Sequence, residues 1–334
     1  MRKAMVSHVA QSSWFAWVVR QLERADSGRS YLLPILTYHR IADRETTPRL
    51  APSLVSATPE DFTEQMRFLA RRFRIVPMEA VLDAREQHRL PPRSLLLTFD
   101  DAYRDFADHA WPILRRLGLA ATVFVPTGYP GRPDRSFWWD RLHAVVRDAT
   151  GDLETPIGRL LVGHPADRRR AYELLRRHLK GMRHDDAEAL VRDLQSGART
   201  REGEAAVLSW AELRRLAGEG VTLAPHTRNH PILSHLDAEE IDTEVRSSRE
   251  DLEREIGPTL PVFAYPSGEH TPTAVAVLRR LGMRAAFTTE RGLNDLRRAD
   301  WLRLRRINVG GRSTLAVIRA QLLSRPSWLA SPGR

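Results

Sequence analysis

The segment Leu95-Leu96-Leu97-Thr98-Phe99-Asp100-Asp101 is typical of an apolar strand that ends in two adjacent carboxylates. Neighbouring side chains on a strand point to opposite faces, so both aspartates reach one site only where the backbone turns at the strand's end. Two close carboxylates repel each other unless a cation neutralises them. Taken alone, the pair favours a plainer interpretation, a helix N-cap with a first-turn acid, since a helical stretch begins at Tyr103.

The pattern around this segment alternates between strand-like runs and amphipathic helical stretches. Thr58-Pro59-Glu60-Asp61 and the capping box Ser209-Trp210-Ala211-Glu212 are helix starts. Strands are predicted at residues 32–39, 73–76, 94–100, 120–126, 221–226, 261–266, 285–289 and 302–309. This repetition predicts an α/β fold with parallel strands and helical crossovers, built as a closed barrel or as an open doubly wound sheet.

One interval lacks any predicted strand. Residues 129–207 begin with Phe137-Trp138-Trp139-Asp140 and continue with charged helical stretches around 166–197. We interpret the interval as a helical insertion in a loop, where additions that shape a substrate site are usually found.

Composition excludes several classes of protein. Of 334 residues, 42% are hydrophobic and 28% are charged, which suits one large α/β domain or two small ones. The absence of cysteine excludes disulfide scaffolds, cysteine nucleophiles and cysteine-based zinc sites. No apolar run approaches the ~20 residues that a membrane-spanning helix needs.

The formal net charge of +10 is carried almost entirely by arginine. Lys3 and Lys180 are the two lysines among 52 basic residues, and the arginines are spread along the whole chain. A uniform arginine bias is more typical of genomic base composition than of a phosphate-binding patch. We therefore expect no nucleic-acid partner.

Residues 1–30 form a separate amphipathic segment that contains Trp14, Phe15 and Trp17. Polar residues interrupt the apolar core that a signal peptide would need. We expect a short helix packed on the domain, with contact to a membrane face as the alternative. A cytoplasmic location, peripheral to the membrane under the alternative, is the corresponding expectation.

A second chemical motif ends another predicted strand. Residues 221–226 end in His226, and His230 follows at the spacing of a two-histidine metal clamp if the turn is helical. Alone, such a pair more often consists of surface residues that bind no metal. At the carboxyl ends of parallel strands, however, the aspartate pair and the histidine pair would meet at one mouth of a barrel.

Such a meeting would create a recognisable site. One carboxylate and two imidazoles make a three-ligand centre with open positions, as in catalytic metal sites. The remaining carboxylate would be free to act as a base on water. A third segment, Phe263-Ala264-Tyr265-Pro266-Ser267-Gly268, is a strand followed by a turn that can present backbone N–H groups to an oxyanion.

Together the motifs resemble those of a known family. Thr98-Phe99-Asp100-Asp101, His226-Thr227-Arg228-Asn229-His230 and Tyr265-Pro266-Ser267-Gly268 resemble the first three motifs of the polysaccharide deacetylases, the NodB-homology group or carbohydrate esterase family 4. The resemblance covers about residues 31–310, except the insertion. It implies a distorted (β/α)7 barrel, here expected over residues 31–325, that removes N-acetyl groups from sugar polymers. It also implies a divalent metal, with Zn²⁺ as the first expectation and Ni²⁺, Co²⁺ or Mn²⁺ as alternatives.

The resemblance assigns roles by position. Asp100 resembles the catalytic base and Asp101 the metal-binding carboxylate, while His226 and His230 resemble the imidazole ligands. Ser267 would contribute the backbone N–H that holds the oxyanion. We also expect Tyr265 to contact substrate. Trp138 and Trp139 would form a stacking platform for sugar rings or, equally, a hydrophobic anchor that fastens the insertion to the barrel.

The chain departs from the common family pattern in two places. Ala264 stands where the family usually has an arginine, so another group must orient Asp100. No histidine follows His270, although the family's usual acid histidine lies in a late motif. The start Tyr38-His39-Arg40-Ile41 resembles the exopolysaccharide deacetylases that act on poly-N-acetylglucosamine, in which the acid histidine comes early. We therefore predict His39 as general acid, with His270 in reserve and a merely hydrogen-bonded core His39 as the alternative.

The function expected from this resemblance is hydrolysis of N-acetyl groups on an amino-sugar polysaccharide or its lipid-linked precursor. Two other functions fit the same residues. One is a metal amidohydrolase that acts on a non-carbohydrate amide, and the other is a non-catalytic glycan-binding member of the fold.

Overall fold

Twelve strands lie in the part of the chain that the computed structural model describes, which is residues 30–43, 47, 51, 53–132, 135–198 and 207–323. In chain order they are β1 (Leu32–Leu33), β2 (Ile35–Tyr38), β3 (Arg40–Ile41), β4 (Val55–Ala57), β5 (Arg74–Ile75), β6 (Ser94–Phe99), β7 (Thr122–Val125), β8 (Thr222–Pro225), β9 (Val262–Ala264), β10 (Ala285–Phe287), β11 (Asn294–Asp295) and β12 (Ile307–Asn308). Each of the eight predicted strand regions contains strand residues, so these predictions are confirmed.

The same described ranges contain ten α-helices. They are α1 (Pro59–Arg72), α2 (Met78–Gln87), α3 (Trp111–Arg116), α4 (Trp138–Asp148), α5 (Pro165–Lys180), α6 (His184–Ala198), α7 (Trp210–Gly218), α8 (Ala238–Glu255), α9 (Pro272–Arg280) and α10 (Leu315–Leu322). The predicted segment 1–30 lies outside the described residues but for its last position. None of the helices described is both long and apolar enough to cross a bilayer.

Seven parallel strands form the ring at the centre of the fold. β12, β2, β6, β7 and β8 are hydrogen-bonded in that order, and β9 pairs with β10. A parallel bridge between Phe287 and Leu304 joins β10 to the segment that leads into β12. Between β8 and β9 the connection is a side chain, because the His226 ring nitrogen Nδ1 lies 2.7 Å from the carbonyl oxygen of Ala264. The fold is therefore the distorted (β/α)7 barrel of the sequence expectation, not an open sheet.

Strand periodicity separates the inside of this ring from the outside. On β6, Leu96 belongs to the cluster of apolar side chains inside the barrel, whereas Leu95, Leu97 and Phe99 belong to the cluster between strands and helices. Successive side chains of a strand alternate between its faces, so an all-apolar run such as β6 fills both layers. Thr98 and Asp100 share the inner face with Leu96, which directs the first aspartate of the pair into the mouth of the barrel.

Three short strands, β3, β4 and β11, lie outside the predicted strand regions. β3 pairs with β4, β1 pairs antiparallel with β11, and β5 pairs with the start of β6 outside the ring. A strand of two or three residues carries little periodicity, and the tertiary contacts identify β3, β4 and β11.

Helix starts follow the sequence signals closely. The Thr58 side chain accepts a hydrogen bond from the Asp61 amide ahead of α1. Ser209 and Glu212 complete a reciprocal capping box at α7. Each cap satisfies backbone N–H groups that a helix leaves unpaired in its first turn.

Helices α4, α5 and α6 lie within the described part of residues 129–207. Arg141 of α4 forms an ion pair with Glu188 of α6, and the apolar faces of the helices continue the outer core of the barrel. The interval is helical as expected, and its status as an insertion stays a prediction.

Candidate metal centre and active site

An open cleft of about 200 Å³ lies at the carboxyl ends of the barrel strands. Eight of the nine predicted site residues line it, namely His39, Asp100, Asp101, Trp138, Trp139, His226, His230 and Ser267. Residues from opposite ends of the chain thus meet at one place.

Strained backbone occurs in the three segments that carry the sequence motifs of this site. Among the described residues, seven that are not glycine have positive φ, and five of them belong to this site. They are Asp101 (73°), Ala102 (49°), Thr227 (64°), His230 (61°) and Ser267 (56°). Left-handed conformations of this kind cost free energy and cluster at functional sites, where the surrounding structure holds them in place.

The side chains of Asp101, His226 and His230 are buried together. Their ligand atoms all lie within 4.8 Å of one another. The carboxylate oxygen Oδ1 of Asp101 is 3.2 Å from Nε2 of His230 and 3.6 Å from Nε2 of His226. The three-residue cluster predicted from the motifs is thus present in the structure.

A hydrogen bond determines which ring nitrogen of His226 carries the proton. A carbonyl oxygen only accepts, so the 2.7 Å contact with Ala264 places the proton on Nδ1 and leaves the Nε2 lone pair facing Asp101. Burial lowers the pKa of His226 to about 4, so the ring is neutral at neutral pH. A neutral imidazole is the form that binds metals.

These groups fit a divalent cation. Burial opposes ionisation of Asp101, but its contact with the imidazole of His230 lowers the pKa of this carboxyl well below its ordinary value. Its Oδ1, like Nδ1 of His230, is buried without a hydrogen-bond partner among the described residues. A carboxylate that faces an imidazole lone pair is stabilised by a cation between them, and a two-histidine, one-carboxylate set suits Zn²⁺ or a similar metal.

The spacing of the two histidines works differently from the prediction. Residues 226–230 are not helical but form an irregular loop, so the helical-turn interpretation is wrong. The Thr227 hydroxyl accepts a hydrogen bond of 2.9 Å from the His230 amide, and left-handed φ at Thr227 and His230 folds the loop back. The imidazoles meet because the loop is closed by this bond, not because of helical periodicity.

Asp100 has a different partner from its neighbour. Arg306, fully buried, donates from Nη1 to Oδ1 at 2.8 Å and from Nη2 to Oδ2 at 2.7 Å. Burial would raise the pKa of Asp100, but the charge of Arg306 and its hydrogen bonds outweigh burial and lower it. Asp100 is therefore ionised and held in one orientation.

Arg306 is the group that the sequence analysis left unidentified. It takes the orienting position that Ala264 leaves vacant, and it also donates to the Thr288 carbonyl at 2.8 Å and to the Thr37 hydroxyl at 3.1 Å. The predicted strand at 302–309 contained a signal, since alternation places Leu304, Arg306 and Asn308 on one face. In a chain with this many arginines, that signal did not stand out.

The predicted acid and its reserve lie in different places. His39 follows β2 and lines the cleft, and its backbone amide donates to the Ser56 hydroxyl at 2.9 Å. His270 is not among the residues that line the cleft; its ring packs 5.3 Å from that of Tyr265. The geometry therefore supports His39 over His270 for the acid role, which stays a prediction.

Tyr265 is placed away from the predicted substrate contact. Its side chain is fully buried and its hydroxyl donates to the Leu302 carbonyl at 2.9 Å. The expectation of a substrate contact therefore needs correction, because strand alternation points this ring into the layer between β9 and the helices.

The two tryptophans line the cleft but are almost fully buried. Trp138 is 5% and Trp139 is 8% exposed. The Trp139 ring stacks on Phe137 at 4.5 Å and meets the His230 ring edge-on at 4.8 Å, and its indole N–H donates to the Tyr103 hydroxyl at 2.8 Å. These contacts support the anchoring alternative, in which α4 packs against a metal-ligand candidate.

Comparison with known proteins places this geometry in a family. The polysaccharide deacetylase family model matches residues 87–286, which is more than half of the chain. Among curated proteins, YxkH of Bacillus subtilis, whose name assigns it to the polysaccharide deacetylases, is 20% identical over 78% of this chain. The poly-β-1,6-N-acetyl-D-glucosamine N-deacetylase of Staphylococcus epidermidis is 26% identical over 29% of this chain. The chain spans 65% and 36% of the lengths of these two relatives.

Solved structures share the fold. The Streptococcus pyogenes deacetylase PplD superposes with a TM-score of 0.60 at 22% identity, covering 88% of this chain and 99% of that one. IcaB from Ammonifex degensii superposes with a TM-score of 0.58 at 18% identity, covering 89% and 99%. Fold, motif spacing and the match over residues 87–286 agree, and the chain belongs to the polysaccharide deacetylase family.

Proposed function

We propose that this chain hydrolyses N-acetyl groups on an amino-sugar polysaccharide, or on its lipid-linked precursor, with a divalent metal held by Asp101, His226 and His230. The observation that carries the proposal is the placement of these three side chains beside Asp100, which Arg306 keeps ionised. Zn²⁺ is the metal that this ligand set favours first, with Ni²⁺, Co²⁺ and Mn²⁺ as the other candidates.

Each residue has a defined task in the proposed reaction. A divalent metal in this site would supply Lewis-acid activation of water and of the acetamide carbonyl. Asp100 accepts a proton from the attacking water, because its carboxylate is ionised and its orientation is set by Arg306. The Ser267 backbone N–H donates to the developing oxyanion, and one such donor typically contributes ~3–4 kcal/mol.

The departing amine needs a proton, because an amide anion is a very poor leaving group. In this proposal His39, which follows β2 beside β6 and lines the cleft, gives that proton. General acid–base assistance of this kind typically contributes ~10²–10⁴-fold to the rate.

Similarity to a poly-β-1,6-N-acetyl-D-glucosamine N-deacetylase supports an N-acetylglucosamine polymer as substrate. The proposal is tested by measuring acetate release from N-acetylglucosamine oligomers, with and without chelator. Acetate release that the chelator abolishes supports it. Hydrolysis of a small non-sugar amide in place of the oligomers would indicate the amidohydrolase alternative, and metal binding without any hydrolysis would indicate a glycan-binding protein.

Two variants separate the roles of the adjacent carboxylates. Asp101→Asn is expected to lose bound metal and turnover together. Asp100→Asn is expected to keep the metal and lose turnover by ~10²–10⁴-fold. Metal analysis of the purified variants and acetate release measure both effects, and retained turnover in Asp100→Asn would remove it from the base role.

A further inference from the structure

Helix α5 brings two cationic side chains to the cleft. Arg176 and Lys180 stand four residues apart, on one face of the last turn and a half of this helix, and both line the cleft beside the metal-ligand candidates. Lys180 is one of the two lysines of the chain and the one that falls within the described residues. Neither residue has a task in the proposed reaction.

Lys180 reaches into the site without a carboxylate partner. Its ammonium nitrogen lies 3.1 Å from the Ser267 hydroxyl oxygen, at the turn that carries the proposed oxyanion donor. No described carboxylate lies within ion-pairing distance of it. Burial, and then the charge of Arg176, lower the pKa of Lys180, so placing this ammonium here costs free energy that a bound anion would offset.

Arg176 is only partly neutralised. Its Nη2 donates to Glu173 at 3.1 Å, while its Nε is buried with no hydrogen-bond partner among the described residues. Buried donors of this kind are normally paired, so an unpaired one in a ligand cleft indicates a missing acceptor. Of the two carboxylates that line the cleft, Asp100 is paired with Arg306, and Asp101 lies against His226 and His230 on the side where the proposed metal would bind.

We propose that Arg176 and Lys180 form an anion-binding subsite beside the metal centre, and that the N-acetylated sugar substrate carries an oxyanion, a phosphate or a carboxylate, next to its acetamide. This inference rests on the proposed function and narrows its substrate class. An arginine fork suits phosphate and carboxylate oxygens, and a lysine adds a point charge. An uncharged N-acetylglucosamine polymer has no group for which these two cations would be needed.

The test compares matched oligomers. Acetate release is measured on a neutral N-acetylglucosamine oligomer, on an oligomer of equal length that contains N-acetylmuramic acid, and on one that carries a 6-phosphate. We expect kcat/KM to be at least about tenfold higher for one anionic oligomer than for the neutral one. The carboxylate and phosphate arms identify which oxyanion the subsite takes. Preference for the neutral oligomer, or equal rates on all three, would overturn the proposal.

Variants assign that preference to the two residues. Lys180→Gln and Arg176→Gln are expected to lower kcat/KM much more on the anionic oligomer than on the neutral one, which removes the preference, and Lys180→Arg should preserve it. Arg177→Gln is the control, because Arg177 is an exposed residue of the same helix. An equal loss on all substrates would show a structural or general role and would contradict the subsite.

A binding measurement separates this inference from the proposed function. Inorganic phosphate is titrated calorimetrically into the full chain in the presence of chelator, so that no metal coordinates the anion. The wild type is expected to bind phosphate, and the Arg176→Gln/Lys180→Gln double variant is expected not to bind it. If no oligomer releases acetate but phosphate binding behaves in this way, the proposed function fails and the subsite stands. Unchanged phosphate binding in the double variant would overturn the subsite.

Discussion

Asp100 and Asp101 are chemically identical neighbours, and their partners give them different properties. Asp100 faces the fully buried guanidinium of Arg306, whereas Asp101 faces two imidazoles and has a carboxylate oxygen without a hydrogen-bond partner. Left-handed φ at Asp101 turns the backbone between them. In the proposed function, Asp100 would act as the oriented base and Asp101 would be a ligand of the metal.

The variant Arg306→Gln tests whether Arg306 orients Asp100. Without the guanidinium, burial is no longer opposed, so the pKa of Asp100 rises and the acidic limb of the kcat/KM–pH profile moves to higher pH. Turnover at neutral pH is expected to fall by about 10–100-fold, as for other groups that orient active-site ligands. Acetate release measured across pH checks both effects.

A stability measurement controls this prediction. Removing one partner of a buried ion pair typically costs about 3–5 kcal/mol, so Arg306→Gln should melt at a lower temperature. The double variant Arg306→Gln/Asp100→Asn removes the uncompensated charge and should recover part of that stability without recovering turnover. An acidic limb that stays in place in the single variant would contradict the assignment.

At the scale of elements, helix α8 holds the loop that carries both histidines. Its Glu244 accepts hydrogen bonds from the Arg228 amide at 2.8 Å, from the Asn229 amide at 2.9 Å and from the Asn229 side chain. These bonds keep the non-helical loop closed over the cleft. The loop conformation, and so the position of His230, depends on a carboxylate in a different element.

Glu244→Gln tests this support. An amide has one acceptor oxygen where the carboxylate has two, so one of the loop donors loses its acceptor, at a typical cost of ~1–3 kcal/mol. Metal affinity is expected to fall about 10–100-fold, as for other groups that orient ligands. Competition with a fluorescent zinc chelator measures it. Glu250→Gln, at an exposed position of the same helix, should bind metal like the wild type; equal losses in both variants would show that the loop contacts do not matter.

The turn at Pro266–Gly268 depends on the absence of a side chain at its last residue. Gly268 has φ of 75°, and a Cβ there would overlap both the backbone nitrogen and the side-chain oxygen of Thr289. Thr289 in turn donates from its hydroxyl to the Ser267 carbonyl at 2.9 Å. The close approach of the two segments therefore positions Ser267.

Gly268→Ala is expected to displace this turn and lower turnover by at least about tenfold, because the Ser267 N–H moves away from the oxyanion. Metal binding should persist, since the three ligand candidates belong to other segments. Gly257→Ala is the matched control, because that glycine also has positive φ (109°) but has no atom within contact distance of an added Cβ. Acetate release and metal content are compared for the two variants, and equal turnover would contradict the prediction.

For the molecule as a whole, the site lies where the ring of strands is weakest. β8 and β9 share no ladder pairing, and the bond from His226 to the Ala264 carbonyl connects them. A cation bound by Asp101, His226 and His230 would tie the end of β6 to the end of β8, two strands apart in the ring. Metal binding should therefore stabilise the fold, in addition to its proposed role in the reaction.

Thermal unfolding with and without Zn²⁺ tests this coupling. At a free-metal concentration of 100 Kd, a ligand that binds only the folded state adds about 2.7 kcal/mol, which corresponds to a rise of about 3–6 °C in Tm for a chain of this size. Chelator should reverse the rise, and Asp101→Asn should not show it. A wild-type Tm that does not change when Zn²⁺ is added would contradict the three-residue metal site.

Local sequence patterns were sufficient to predict the main strands and the residues that end them. The apolar run at 94–99 and its counterparts determine the strands, since a run that fills both faces is stable only between two packed layers. The residues that end those strands determine the available chemistry, and parallel pairing brings their carboxyl ends to one mouth. Parallel pairing predicted that the aspartate pair and the histidine pair meet, and the family resemblance assigned Asp101 to the cluster with His226 and His230.

Only the tertiary structure decided which residues from distant parts of the sequence contact those side chains. Arg306 lies 206 positions from Asp100, and Lys180 lies 87 positions from Ser267; no local pattern links such pairs, because their proximity follows from closure of the ring and from the packing of α5. The loop at 226–230 and the burial of Tyr265 were decided in the same way, by partners on other elements. A sequence specifies which side chains end each strand, but the direction in which they point is a property of the turns and neighbours that hold them.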